Sequence, residues 1–190
     1  KSNEEFVGNC HKAPASLFKK KLMETEEIIA CLSFTIKNLQ AYNPNVIVIF
    51  TISPVRHVRD GVIENNRSKA RLIDAVHSIK KNNERVLYFP AYELVIDVLR
   101  DYRFYKSDLV HANEAAVQYV FESFCKTFID EPTAKFMAEV SALLKARNHK
   151  PFNEHTASHK KFLRDQLKKA YEIISKNPTI SLEEELAYFS

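Results

Sequence analysis

Two residues in this chain have the types and spacing that do acid–base chemistry on a neighbouring hydroxyl: Asp108 and His111, within Tyr105-Lys-Ser-Asp-Leu-Val-His111. An aspartate that accepts a hydrogen bond from one imidazole nitrogen fixes the ring's tautomer and leaves the other nitrogen free to take a proton from a serine. The spacing alone is unspecific, since an aspartate just before a helix commonly caps it. Its place in the chain, after the last of the expected strands, favours the catalytic reading.

The elements that must position this pair read as alternating strands and helices. Residues 5 to 8 form a short candidate strand. Val46-Ile-Val-Ile-Phe-Thr-Ile52 is a continuous apolar run of the kind that a parallel sheet buries on both faces, and Arg85-Val-Leu-Tyr-Phe89 makes a third strand. Helix-length segments at 16 to 41 and 66 to 81 lie between them, ending at Asn43-Pro44 and Asn82-Asn83. Residues 92 to 105 read as partly helical. Asn113 then caps a helix whose Ala116, Val117, Val120, Phe121, Phe124 and Phe128 form one apolar face, expected against the sheet. This βαβαβ order defines an α/β domain with a parallel sheet over residues 1–130. Beyond Asp130-Glu-Pro132 the pattern is helical, roughly 133 to 147 and 158 to 176 with a short piece after Pro178, so residues 131–190 are expected to form a C-terminal helical extension packed on the domain.

Composition excludes several functions. A net charge of +4, with lysines scattered among glutamates, gives no basic arm or stripe, so nucleic acid is not an expected partner. No run of 18 apolar residues exists, which argues against a membrane span. Cys10, Cys31 and Cys125 stand at unrelated spacings without a CxxC pair, as expected of reduced thiols in the cytoplasm. Gly8 and Gly61 are the only glycines, which excludes a Gly-rich phosphate loop or dinucleotide fingerprint, and no cofactor is expected. A homo-oligomer stays open.

In open parallel sheets the ligand crevice lies beyond the carboxyl ends of the strands. The segments there are polar: Asn9-Cys-His-Lys12, Ser53-Pro-Val-Arg-His-Val-Arg-Asp60 and Pro90-Ala-Tyr-Glu93. Asn9 either caps a turn or donates its amide to an oxyanion. His11 and His57 are either loop hydrogen-bonders or participants, and without an HxH or HExxH spacing they do not indicate zinc. With them, Ser53, Arg59, Tyr92 and Glu93 complete the candidate pocket. Cys10 beside His11 is a lesser candidate nucleophile. Ser68-Lys69 reads as a first-turn serine followed by a solvated lysine. Arg56, Arg59, Lys69 and Arg103 either steer an anionic substrate or pair with Asp60, Glu93 and Asp101, and the ion pairs are favoured.

These segments, with Asn66-Arg-Ser-Lys-Ala70, Tyr88-Phe-Pro-Ala-Tyr-Glu93, Leu99-Arg-Asp-Tyr-Arg-Phe-Tyr105 and Asp108-Leu-Val-His111, occur in an order that resembles the GSCFA domain, a branch of the SGNH (GDSL-type) hydrolase superfamily. The resemblance covers about residues 5 to 130 and continues around 147 to 152. It implies a three-layer, doubly wound, flavodoxin-like parallel sheet with helices on both faces. It further implies an ester hydrolase in which Asp108 orients His111, His111 is the general base and Asn9 lines the oxyanion hole. The substrate would be a small-molecule or carbohydrate ester bearing an acyl or acetyl group. The chain departs from the family pattern in two places. Gly8 directly precedes Asn9, where the pattern sets a glycine two residues before, and the Gly-Ser-Cys-Phe-Ala nucleophile segment does not occur. The serine and two further strands are therefore expected upstream of Lys1, or in a partner that completes the sheet. The alternative function is a non-catalytic binding module that keeps the fold.

Overall fold

The computed structural model describes residues 7, 12–149, 151–153 and 155–190. The chain divides into two compact units, residues 1–120 and 121–190. Among the described residues no helix is long and apolar enough to cross a membrane, and Cys31 and Cys125 are free thiols.

The first unit is built on a β-α-β crossover. Strand β1 (Val48–Thr51) pairs in parallel with β2 (Val86–Phe89), in the register Val48 with Val86 and Thr51 with Phe89, and α2 (Gly61–Lys81) connects them. This is the arrangement a parallel pair requires, because the chain must return to the starting edge. The expected strand at 5 to 8 lies, apart from Val7, outside the described residues. Helix α1 (Thr25–Tyr42) packs along α2. Ile36 of α1, Ile79 of α2 and Val86 of β2 form a buried cluster, with Ile29, Leu32, Val48 and Phe50 packed against it.

Two helix starts and the burial of one strand differ from the sequence expectation. Helix α1 starts at Thr25 and not near 16. The Glu24 amide donates to the Glu27 carboxylate at 2.8 Å, a reciprocal cap that sets the first turn. Just ahead of it the Met23 carbonyl is taken by the Arg71 guanidinium at 2.6 Å, so it is not available to a helical ladder. Helix α2 starts five residues before the expected Asn66. Gly61, at φ 76°, turns the chain straight out of the 3-10 turn Val58–Asp60. Its first turn then carries Val62 and Ile63 into solvent, so apolar periodicity gave no sign of it. Strand β1 is not buried on both faces: partly buried Val48 and Phe50 alternate with exposed Ile49 and Thr51.

After β2 the chain forms a short helix α3 (Ala91–Glu93) that runs into a π-helical turn (Leu94–Val98) and then a 3-10 turn (Tyr102–Phe104). Val95 and Leu99 bury this stretch. Helix α4 (Glu114–Phe128) is capped as expected, with Asn113 Oδ1 accepting from the Ala116 amide at 3.1 Å. Of its expected apolar face, Ala116 is fully buried, whereas Val117 and Phe121 stay at least half exposed.

The second unit is helical. Asp130 caps α5 (Glu131–Asn148) through the Thr133 amide, with Pro132 in its first turn, and Thr156 caps α6 (Ala157–Lys176) through the His159 amide. Helix α7 (Glu183–Phe189) closes a core of Leu143, Ala170, Ile173, Leu182 and Phe189. Arg147 clamps α5 to α7 by pairing with Glu184 at 2.7 Å and Glu185 at 2.6 Å, and Glu185 is buried.

Candidate functional site

The Asp108/His111 segment is a small closed loop. Tyr105 and Ala112 form an isolated antiparallel bridge, and the Lys106 amide donates to the His111 carbonyl at 2.8 Å. Within it the Leu109 amide donates to the Lys106 carbonyl, closing a tight turn that puts Leu109 at φ 55°. A leucine in the left-handed region costs about 1–2 kcal/mol, so the surroundings must hold it there.

Asp108 does much of that holding. Its Oδ1 accepts from the backbone amides of Val110 (2.9 Å) and His111 (3.0 Å), and its Oδ2 lies 2.7 Å from His111 Nδ1. Capping and orienting, which the sequence posed as alternatives, are thus done by different oxygens of one carboxylate. The two backbone N–H groups, with the imidazole after them, hold the Asp108 carboxyl well below the usual carboxylate range. An ionised Asp108 accepts only, so the neutral imidazole carries its proton on Nδ1 and turns a bare Nε2 outward. Among the described residues no group hydrogen bonds to that Nε2, and no serine hydroxyl bonds to the ring.

The sign of the Asp108 shift fixes a pH dependence. A carboxyl depressed in the folded state contributes stability at every pH above its ordinary value, and that contribution is lost as pH falls through the folded value. The 105–112 loop is therefore expected to keep its amide protection at about pH 5 and to loosen only below about pH 4, where free aspartate protonates. Hydrogen exchange at the Val110 and His111 amides reads this directly. Loosening already near neutral pH would show that the carboxylate does not hold the turn.

The loop after β1 is braced from α2. Lys69 is buried and donates to the Ser53 carbonyl at 2.6 Å, while buried Asn65 accepts from the His57 amide at 3.0 Å. Burial pushes the Lys69 amine below the usual lysine range. Lys69 is thus not a solvated first-turn lysine: α2 starts eight residues earlier, and 65 and 69 fall on the stripe that continues through buried Val76 and Ile79. Polar residues at apolar-stripe positions were the signal for these two anchors.

The remaining candidates separate. Ser53 is exposed, and its Oγ accepts from the Val55 amide in a turn. His57 and Arg59 are exposed on the same loop. Among the described residues Arg56 makes no ion pair. Its guanidinium lies 4.7 Å from the Tyr105 ring centroid and donates to the Leu109 carbonyl at 3.2 Å. Glu93 accepts the Tyr88 hydroxyl on both oxygens, at 2.8 and 2.9 Å, and burial followed by this bond raises the Tyr88 phenol well above its usual range. Tyr92 is half-buried, its phenol raised by burial and by the Asp97 and Glu93 carboxylates, within electrostatic reach of Tyr105 and Arg56. The structure therefore brings Arg56 onto the Asp108/His111 loop at Tyr105 and Leu109, and commits Glu93 to Tyr88. Of the expected ion pairs only Arg103 with Asp101 forms, at 3.0 Å; Asp60 pairs with Lys20. Asn9 and His11 lie outside the described residues.

A parallel β-α-β unit among helices, with Asp108 hydrogen-bonded to His111 on a loop beyond its second strand, makes the chain a mixed α/β protein. The chain belongs to the GSCFA family: the model of that family matches residues 1–124, and the model of the GSCFA domain protein C-terminal domain matches residues 140–190. No curated protein and no solved structure matches it.

Proposed function

We propose that this chain supplies the base and its orienter for an SGNH-type serine ester hydrolase. The observation that carries the reading is the 2.7 Å contact between Asp108 Oδ2 and His111 Nδ1, which leaves Nε2 unengaged on an exposed loop. The parallel β1-α2-β2 unit and membership of the GSCFA family support a three-layer, doubly wound domain around it. His111 Nε2 takes the proton of a serine hydroxyl contributed from outside this chain as the serine Oγ attacks an ester carbonyl. The proton then passes to the departing alcohol, and water releases the acyl group by the reverse sequence. Asn9 is proposed to donate to the tetrahedral oxyanion, and Tyr92 to line the substrate pocket. An acyl or acetyl ester, on a small molecule or a carbohydrate, is the substrate class.

A non-catalytic binding module is the second reading, favoured by the lack of any serine bonded to His111 among the described residues. One assay separates the two. A polypeptide that joins this chain to a segment carrying the proposed serine is given aryl acetates, alongside His111→Ala. Hydrolysis that falls at least about a thousandfold in the variant, as for loss of a serine's general base, supports the hydrolase. Hydrolysis that persists in His111→Ala removes the assigned base, and no hydrolysis by either protein favours the binding module.

A further inference from the structure

We infer that Arg56 is a positioning residue for the Asp108/His111 pair, holding it by its backbone; as a statement about catalysis this rests on the hydrolase reading above. Arg56 and Leu109 are 53 residues apart in the chain, yet Arg56 Nη1 donates to the Leu109 carbonyl at 3.2 Å and Nη2 reaches the Tyr105 hydroxyl at 3.5 Å. The guanidinium also stacks over the Tyr105 ring, 4.7 Å from its centroid, with the Tyr102 ring at 6.0 Å. Leu109 is the left-handed residue between Asp108 and the Val110 amide that Asp108 caps. A hydrogen bond to its carbonyl therefore acts on the same peptide unit whose N–H, on Val110, Asp108 caps, and so helps to hold the turn that sets Asp108 beside the imidazole. Tyr105 is the residue at which the loop closes. Arg56 thus grips both the base of the loop, at Tyr105, and its turn, at Leu109.

The other end of the strut is fixed as well. Lys69 holds the Ser53 carbonyl and Asn65 holds the His57 amide, so the segment carrying Arg56 is tied to α2 on each side. A planar fork that donates two bonds and stacks by its face suits this task, whereas a lysine offers one compact charge without the plane. Arg56 touches neither reacting atom and acts through the Asp108 turn alone.

The experiment reads the imidazole itself. Nitrogen-15 shifts of His111 in the whole chain, read where the ring is neutral, are expected to report one tautomer, with the proton on Nδ1. In Arg56→Ala the two nitrogens are expected to average toward exchange between tautomers, and Arg56→Lys to fall between the two. In turnover assays kcat is expected to drop about 10–100-fold with KM within about twofold, as for a misplacement of roughly 1 Å. An unchanged Nδ1–H signature in Arg56→Ala overturns the inference, as does loss of fold in both variants, which would make Arg56 a folding residue. A shifted tautomer in a protein without esterase activity keeps the positioning role and discards the hydrolase reading.

Discussion

Asp108→Asn is expected to lower kcat by about 10³–10⁴-fold while leaving the 105–112 loop in place. The reason lies in the division of labour between its two oxygens. The carbonyl oxygen of an asparagine can go on accepting from the Val110 and His111 amides, as Oδ1 does at 2.9 and 3.0 Å. The amide nitrogen then takes the place of Oδ2 beside His111 Nδ1, and an NH2 group donates only. Nδ1 is forced to accept, the ring proton moves to Nε2, and Nε2 can no longer receive the proton of a serine. The substitution thus inverts the tautomer without removing the cap.

Two measurements check this expectation. Amide protection at Val110 and His111 should survive in Asp108→Asn, and the nitrogen-15 pattern of His111 should switch from Nδ1–H to Nε2–H. Asp108→Ala differs, because it deletes the cap and the orienter together and should lose both signals. If Asp108→Asn hydrolyses aryl acetates within about tenfold of the parent protein, orientation of the ring is not what Asp108 contributes, and its role shrinks to capping the turn.

Sequence signals expose the local parts of this arrangement and hide the distant ones. Asp108 and His111 were legible because the contact spans three residues, within one loop, between two side chains of known complementary chemistry. Arg56 was not: its partners are a backbone carbonyl and an aromatic face 53 and 49 residues away, and neither leaves a periodic trace. The same contrast runs through the fold. The crossover β1-α2-β2 followed from short apolar runs flanking a helix-length segment, since burial imposes that pattern on the residues themselves. The start of α2 escaped because Val62 and Ile63 face solvent there, so the apolar period breaks one turn early. The start of α1 escaped because Arg71, from another helix, captures the Met23 carbonyl just ahead of it. Asn65 and Lys69 sat in plain view on an apolar stripe. The reading of Lys69 as a solvated lysine failed, and Asn65 went unread, because burial of a polar side chain depends on which carbonyl or amide the tertiary structure brings to it.

Phe189→Ala is expected to destabilise the second unit by about 3–5 kcal/mol, although the residue is next to last in the chain. Helix α7 has seven residues, too few to hold helical structure alone, so tertiary contacts must keep it in place. Two sets of contacts do so at its two ends. Glu184 and Glu185, in the first turn, pair with Arg147 of α5, where a carboxylate also complements the positive end of the helix. At the last turn Phe189 is 1% exposed and meets the Phe162 ring of α6 edge-on at 6.4 Å. Removal of that ring leaves a cavity facing Leu143, Ala170 and Ile173, which belong to two long helices with little freedom to collapse into it. The ion pairs cannot substitute, because they fix the other end of the helix. Thermal unfolding followed by circular dichroism should register the loss, and Phe189→Leu, which keeps most of the apolar volume, should lose less. A cost below about 1 kcal/mol, the level of an ordinary surface substitution, would mean that α7 is an ornament on the unit. The second family match begins at residue 140 within α5 and runs through α7, so the core closed by Phe189 lies inside the segment that the match covers.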